Sequence, residues 1–209
     1  MLLLLMAALQ IASSDTLVIR TVNRPPVPGV PVDSARYGAP QVRIITRQGS
    51  APIWLLRASD TIFIAAGIPD TTPYWGDDFV LSLDTRGDGA PHPQHDDFQL
   101  YFRRVLDSSV VFRGQDGRWQ PPRGDPDWRL GADRSGGGWE VSATSGPRGW
   151  SILVRLDPAW FAGEKGRLAR IAFRIYGDSP SGWFSWPLPL GKAPARTVEE
   201  TPAMWIPVR

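Results

Sequence analysis

Short runs in which every second residue is apolar recur along this chain, and they leave it few folds to choose from. Trp150, Ile152, Val154 and Leu156 fall on one side of such a run, with Ser151 and Arg155 on the other. Ile171, Phe173 and Ile175 oppose Arg174 and Tyr176 in the same way. A period of two belongs to a β-strand with one face buried. The same reading gives strands over Val42–Thr46, Ile53–Arg57, Thr61–Ala66, Phe79–Leu83, Phe98–Phe102, Ser109–Phe112 and Trp139–Ala143, besides Trp150–Leu156 and Ala169–Tyr176. Gly, Pro, Asp and Ser gather between these runs, where the chain must reverse. Helix signals are nearly absent. The best is Asp157–Phe161, with Asp157 as cap and Pro158 at the first helical position. Many short antiparallel strands with one helical turn predict an all-β fold, an antiparallel β-sandwich of jelly-roll or immunoglobulin-like kind.

The chain has 209 residues, enough for one sizeable β domain. Met1 to Ala12 is an apolar run too short to span a bilayer core of about 30 Å. Followed by the small residues Ala12-Ser13-Ser14, it predicts a signal peptide over 1–14 and a secreted or periplasmic location. Residues 15–31 read as an N-terminal strand and a proline-rich arm (Arg24–Pro31, RPPVPGVP), and 32–209 as a single domain. Gly114–Gly138, rich in Gly, Pro, Asp and Arg, reads as a long surface loop that includes Trp119 and Trp128.

There is no cysteine, which excludes disulfides and thiolate metal sites and leaves core burial to hold the fold. The formal net charge is +2, and apart from Lys165 and Lys192 the positive charges are arginines interleaved with acids. Without a basic tract, no nucleic-acid partner is expected.

Catalytic patterns are missing. No G-x-S-x-G occurs, and Gly136-Gly137-Gly138 precedes a strand, where a phosphate cradle would need a helix. A glycosidase needs two carboxylates flanking the scissile bond. Glu140, between Trp139 and Val141, is more simply an outward strand residue. No catalytic residue is assigned, and the chain reads as a binding protein.

Two groups of residues could bind. Asp84, Asp88, Asp96 and Asp97 cluster around a loop that Gly87 and Gly89 allow to turn tightly. Hard cations want six to eight oxygens, so structural calcium is the cofactor this loop could hold. The spacing is not that of an EF-hand, and the alternative is a turn whose aspartates cap backbone amides. His92 and His95 share the loop and could ligate zinc with Asp96, but Pro91 and Pro93 break it, which favours two exposed histidines.

The second group is aromatic. Of ten tryptophans, Trp139 and Trp150 lead alternating strands and belong in the core, and Trp160 would plug one end of the sandwich. Trp75, Trp183 and Trp186 lie beside Gly, Pro and Ser and read as loop residues. An exposed indole can stack on the apolar face of a pyranose. Asp77, Asp78 and Asp178 stand close by in sequence to hydrogen-bond hydroxyls. The alternative is that these rings cover the sandwich ends.

The stretches YWGDDFVLSLD (Tyr74–Asp84), DDFQLYF (Asp96–Phe102), GWSILVRLDPAWF (Gly149–Phe161), RIAFRIYGDSPSGWFSWP (Arg170–Pro187) and TPAMWIPVR (Thr201–Arg209) together resemble carbohydrate-binding module family 9 and the wider DOMON-like β-sandwich group. The resemblance spans roughly residues 30 to 209. It implies a non-catalytic sandwich; members of the group typically bind sugars, some bind haem, and some carry structural calcium. The expected function is therefore that of a carbohydrate-binding module with an oligo- or polysaccharide partner. A periplasmic scaffold domain docking a protein partner is the alternative, and a small glycoside hydrolase a third.

Overall fold

The computed structural model describes residues 16–72, 77–104, 110–120, 139–157, 169–178, 181–187 and 201–209. Two sheets are formed. The first has the order β1 (Arg20–Thr21), β3 (Ser50–Ala58), β4 (Thr61–Ile68), β10 (Gly149–Leu156), β9 (Trp139–Gly146), with β2 (Val42–Ile45) also paired to β3. The second runs β12 (Ser181–Trp186), β11 (Arg170–Asp178), β5 (Asp78–Asp84), β6 (Asp97–Arg103), β7 (Val110–Gln115), β8 (Arg118–Gln120), with β13 (Ile206–Pro207) also paired to β11. Pairing is antiparallel except between β1 and β3. This is an all-β sandwich.

The alternation in the sequence becomes the inner layer. Ile53, Leu55, Ile64, Ile152 and Val154 of the first sheet share one buried cluster with Phe79, Leu81, Leu100, Phe102, Ile171 and Phe173 of the second. Phe79 and Phe173, on neighbouring strands, stack with centroids 6.0 Å apart. Trp150 is buried, and Trp139 packs edge-on against Phe102.

Burial is not confined to one face. Every residue of β5 is buried. On β3 and β4 the outward residues Trp54, Leu56, Phe63 and Ala65 form a second cluster with Tyr37. The segment after the proline-rich arm supplies that cover. Helix α1 (Ser34–Tyr37) is capped by Asp33, whose carboxylate accepts from the Arg36 amide at 2.9 Å. It sets Tyr37 over the sheet, while the Trp54 indole donates to the Gly38 carbonyl at 2.9 Å.

Several elements differ from the expectation. The helical turn seen is α1, together with a 3-10 turn at Pro202–Met204, and the helix expected at Asp157–Phe161 falls outside the described residues past Asp157. The signal-peptide segment 1–14 is also outside them. Trp119 lies on β8, not in a loop, and its ring stacks on that of Trp205 at 6.2 Å and 10°. Trp183 and Trp186 lie on β12, because β11 offers a free edge that SGWFSW can pair with despite its glycine and serines.

At one end of the sandwich the two sheets are clasped by a buried charge pair. Arg104 follows β6, and its guanidinium lies 3.1 Å from Asp77 Oδ2, with side chains 6% and 0% exposed. The same side chain donates to Ser145 Oγ on β9 at 3.0 Å and to the Asp70 carbonyl. Nearby, Gly149 opens β10 with φ +138°, and a Cβ there would sit 2.0 Å from the Ile68 carbonyl oxygen. Gly149→Ala therefore meets backbone as well as a disfavoured φ. It is expected to cost at least about 2 kcal/mol of unfolding free energy, read by urea titration.

Candidate functional site

Cross-strand register decides which side chains meet on the outer face of the second sheet. One row reads Trp183 on β12, Tyr176 on β11, Asp78 on β5 and Arg103 on β6. The next row toward the sheet centre holds Arg174, Val80 and Tyr101. These residues alternate with the core residues Phe79, Phe102, Phe173 and Ile175, so they all point away from the core.

Trp183 is the exposed member of the group, at 41%. The Arg174 guanidinium carbon lies 4.0 Å from its ring centroid, and Arg174 itself is buried. Tyr176 tilts against the same ring at 5.0 Å and 58°, and Tyr101 meets it edge-on at 6.5 Å and 83°. Arg174 also hydrogen-bonds the Tyr101 side chain. Burial holds the Tyr101 phenol above its usual pKa, although Arg174 pulls the other way.

Asp78 faces Arg103, with Nε 3.5 Å from Oδ1 and side chains 11% and 31% exposed. Burial is the largest influence on Asp78 and raises its pKa to about 6. Arg103 lowers it and neighbouring Asp77 raises it. An indole face, a carboxylate and guanidinium groups thus converge on one patch.

The residues expected to bind do not all reach that patch. Trp183 and Asp78 do. Trp186 is three positions from Trp183, which on a strand puts it on the opposite face, and it packs inward against Phe173 at 6.0 Å. Asp77 is fully buried in the Arg104 clasp. Trp75 lies outside the described residues, as does the side chain of Asp178 at the end of β11. Arg103, Arg174, Tyr176 and Tyr101 were not singled out in the sequence. Their only signal there is an outward position on alternating strands.

The acidic loop is a separate place. Asp84 closes β5 at the end opposite Asp78, six residues and about 20 Å away at strand rise. Asp84, Asp88 and Asp96 each bring an oxygen within 4.8 Å of the others. Asp84 already accepts from the amides of Arg86 at 3.0 Å, Gly87, and Gly89 at 3.1 Å, so it caps the turn as well. Two buried oxygens of the cluster, Asp96 Oδ2 and Asp97 Oδ1, have no hydrogen-bond partner. Asp97 Oδ2 accepts from the Gln94 amide at 2.7 Å.

Burial first, and the neighbouring aspartates Asp84, Asp96 and Asp88 after it, raise the Asp97 pKa to about 8, against the lowering effect of the Gln94 amide. Burial also raises that of Asp84, against the hydrogen bonds from Gly87 and Gly89. Oxygens on opposite sides of a calcium ion stand about 5 Å apart, so the donor type, spacing and orphaned oxygens fit that ion. His95 is engaged elsewhere, with Nδ1 2.7 Å from Arg113. Among the described residues, no helix is long and apolar enough to cross a membrane.

Scanned against protein-family models the sequence matches none, and a search of curated proteins returns no match. Solved structures do match. A carbohydrate binding module family 9 (CBM9) from Caldicellulosiruptor kristjanssonii in complex with glucose aligns with a TM-score of 0.59 at 14% identity, covering 93% of this chain and 94% of that one. The same organism's CBM9 in complex with cellotriose aligns with a TM-score of 0.58 at 15% identity, covering 93% and 92%. The chain has a CBM9-like fold.

Proposed function

We propose that this protein is a non-catalytic carbohydrate-binding module whose ligand stacks on Trp183. The observation that carries the reading is an indole 41% exposed on a sheet face, in one cross-strand row with Tyr176, Asp78 and Arg103. A pyranose offers an apolar C–H face to such a ring and a rim of hydroxyls to its surroundings. The Asp78 carboxylate can accept from those hydroxyls and the Arg103 guanidinium can donate to them. The shared fold with sugar-bound CBM9 structures supports the same reading. Affinity-gel electrophoresis over cellulose-derived, other plant and bacterial polysaccharides tests it. Retardation by at least one is expected, and none by any would refute the proposal.

The acidic loop is proposed as a calcium site with a structural role, held by Asp84, Asp88, Asp96 and Asp97. Its distance from Trp183 along β5 and β11 keeps it away from the ligand. When bound, the ion would neutralise clustered carboxylates. The loop's own residues fix its shape through the turn that Asp84 caps.

This gives a pH dependence of definite sign. Unfolded carboxyls release their protons near pH 4, whereas in the folded protein Asp78 holds its proton to about 6 and Asp97 to about 8. The folded state therefore binds more protons in that window, and stability falls as pH rises from about 4 to 8. With chelator present, the melting temperature is expected to fall between pH 5 and pH 8. Millimolar calcium should remove most of that fall, because the ion competes with protons for the same oxygens. Calcium having equal effect at both pH values would count against the site.

A further inference from the structure

We infer that Arg174 is a positioning residue for the ligand platform, holding the Trp183 ring in place from behind so that one face alone is open. The inference rests on the sugar-binding reading of Trp183. Arg174 lies between Phe173 and Ile175, whose side chains are locked in the core, so its own backbone is fixed. Its planar guanidinium sits 4.0 Å from the indole centroid, close enough for a stacked cation–π contact. It also bonds Tyr101 on β6, two strands away across β5. Tyr176 and the edge of Tyr101 meet the same indole.

A ring so held has little freedom to swing, which matters because β12 is the last strand in its sheet's order and its sequence is rich in glycine and serine. Pre-ordering the platform lowers the entropy cost of binding. Without Arg174 the indole would still be present but would sample other orientations, and affinity would fall although no direct ligand contact had been removed. Lysine would keep the charge but not the flat stack.

The test uses Arg174→Met, Arg174→Lys, Trp183→Phe and the double variants. The Trp183 indole N–H resonance is assigned by its loss in Trp183→Phe. In Arg174→Met its heteronuclear NOE should drop and its shift should move toward that of a free indole, with Arg174→Lys intermediate. The Kd for cellotriose should rise about tenfold in Arg174→Met, but less than twofold when Arg174→Met is added to Trp183→Phe, since the two residues then act as one unit. An unchanged indole NOE, or the same loss of affinity in both backgrounds, would overturn the inference. If Arg174→Met does not fold, Arg174→Lys decides by the same two readouts. If the unaltered protein binds no sugar, the carbohydrate reading fails, and the indole signal alone judges whether Arg174 holds the ring.

Discussion

Replacing Trp183 by alanine is expected to weaken glycan binding about 30- to 100-fold while moving the melting temperature by only a few degrees. The indole is the exposed aromatic of its patch and contributes no side chain to the sandwich core, where Trp186 of the same strand packs instead. A buried aromatic anchor in an interface is typically worth 2 kcal/mol or more, and each 1.4 kcal/mol is about a factor of ten. Isothermal titration with a soluble oligosaccharide would measure the loss. Affinity within threefold of the unaltered protein would mean that the ligand, if there is one, binds elsewhere. Trp186→Ala should behave in the opposite way, costing about 3 kcal/mol or more of stability through the cavity it leaves against Phe173.

Arg104→Met should be the more damaging change to the fold. Asp77 is fully buried, and Arg104 is the cation that compensates its charge at 3.1 Å. Removing one partner of a buried pair typically costs about 3–5 kcal/mol, because the other charge is left in a poorly solvating place. Arg104 also ties the end of β6 to Ser145 on the opposite sheet, a link that methionine cannot make. Urea unfolding should therefore show a midpoint shift of that size. Adding Asp77→Asn should recover a good part of it, since the buried charge that Arg104 compensated is then gone. A single-variant loss below about 1 kcal/mol would show that the pair is dispensable.

Sequence legibility followed the physics of each element. On β10 and β11 the residues that fill the sandwich core, Trp150, Ile152, Val154 and Leu156 and then Ile171, Phe173 and Ile175, fall at every second position, so period two was readable without knowing the neighbours. β12 was not readable, because SGWFSW has little strand preference of its own and is ordered by pairing with β11. That one misplacement also hid the split between Trp183 and Trp186, since residues three apart diverge only once the segment is known to be extended. The acidic loop was legible because Asp84, Asp88 and Asp96 are close in sequence and the turn between them is local. The partners of Trp183 were not. Arg174, Tyr176 and Tyr101 come from two different strands, and the two adjacent rows that gather them exist only in the register of β6, β5 and β11. Outward residues on a strand look solvent-facing until something is known to lie beside them.

The meeting of Leu17 with Val208 has a consequence for attachment. Ile19 donates to the Arg209 carbonyl at 2.9 Å, the Arg209 amide donates to the Leu17 carbonyl at 2.9 Å, and the Leu17 amide donates to the Pro207 carbonyl at 2.8 Å. The first and last described stretches thus lie side by side and in parallel, near Arg170 and the end of β5. Trp183 is at the other end of β11, about 20 Å off. A body fused after residue 209 would be leashed at the pole remote from the platform, which could then reach its ligand without being shaded by its own cargo.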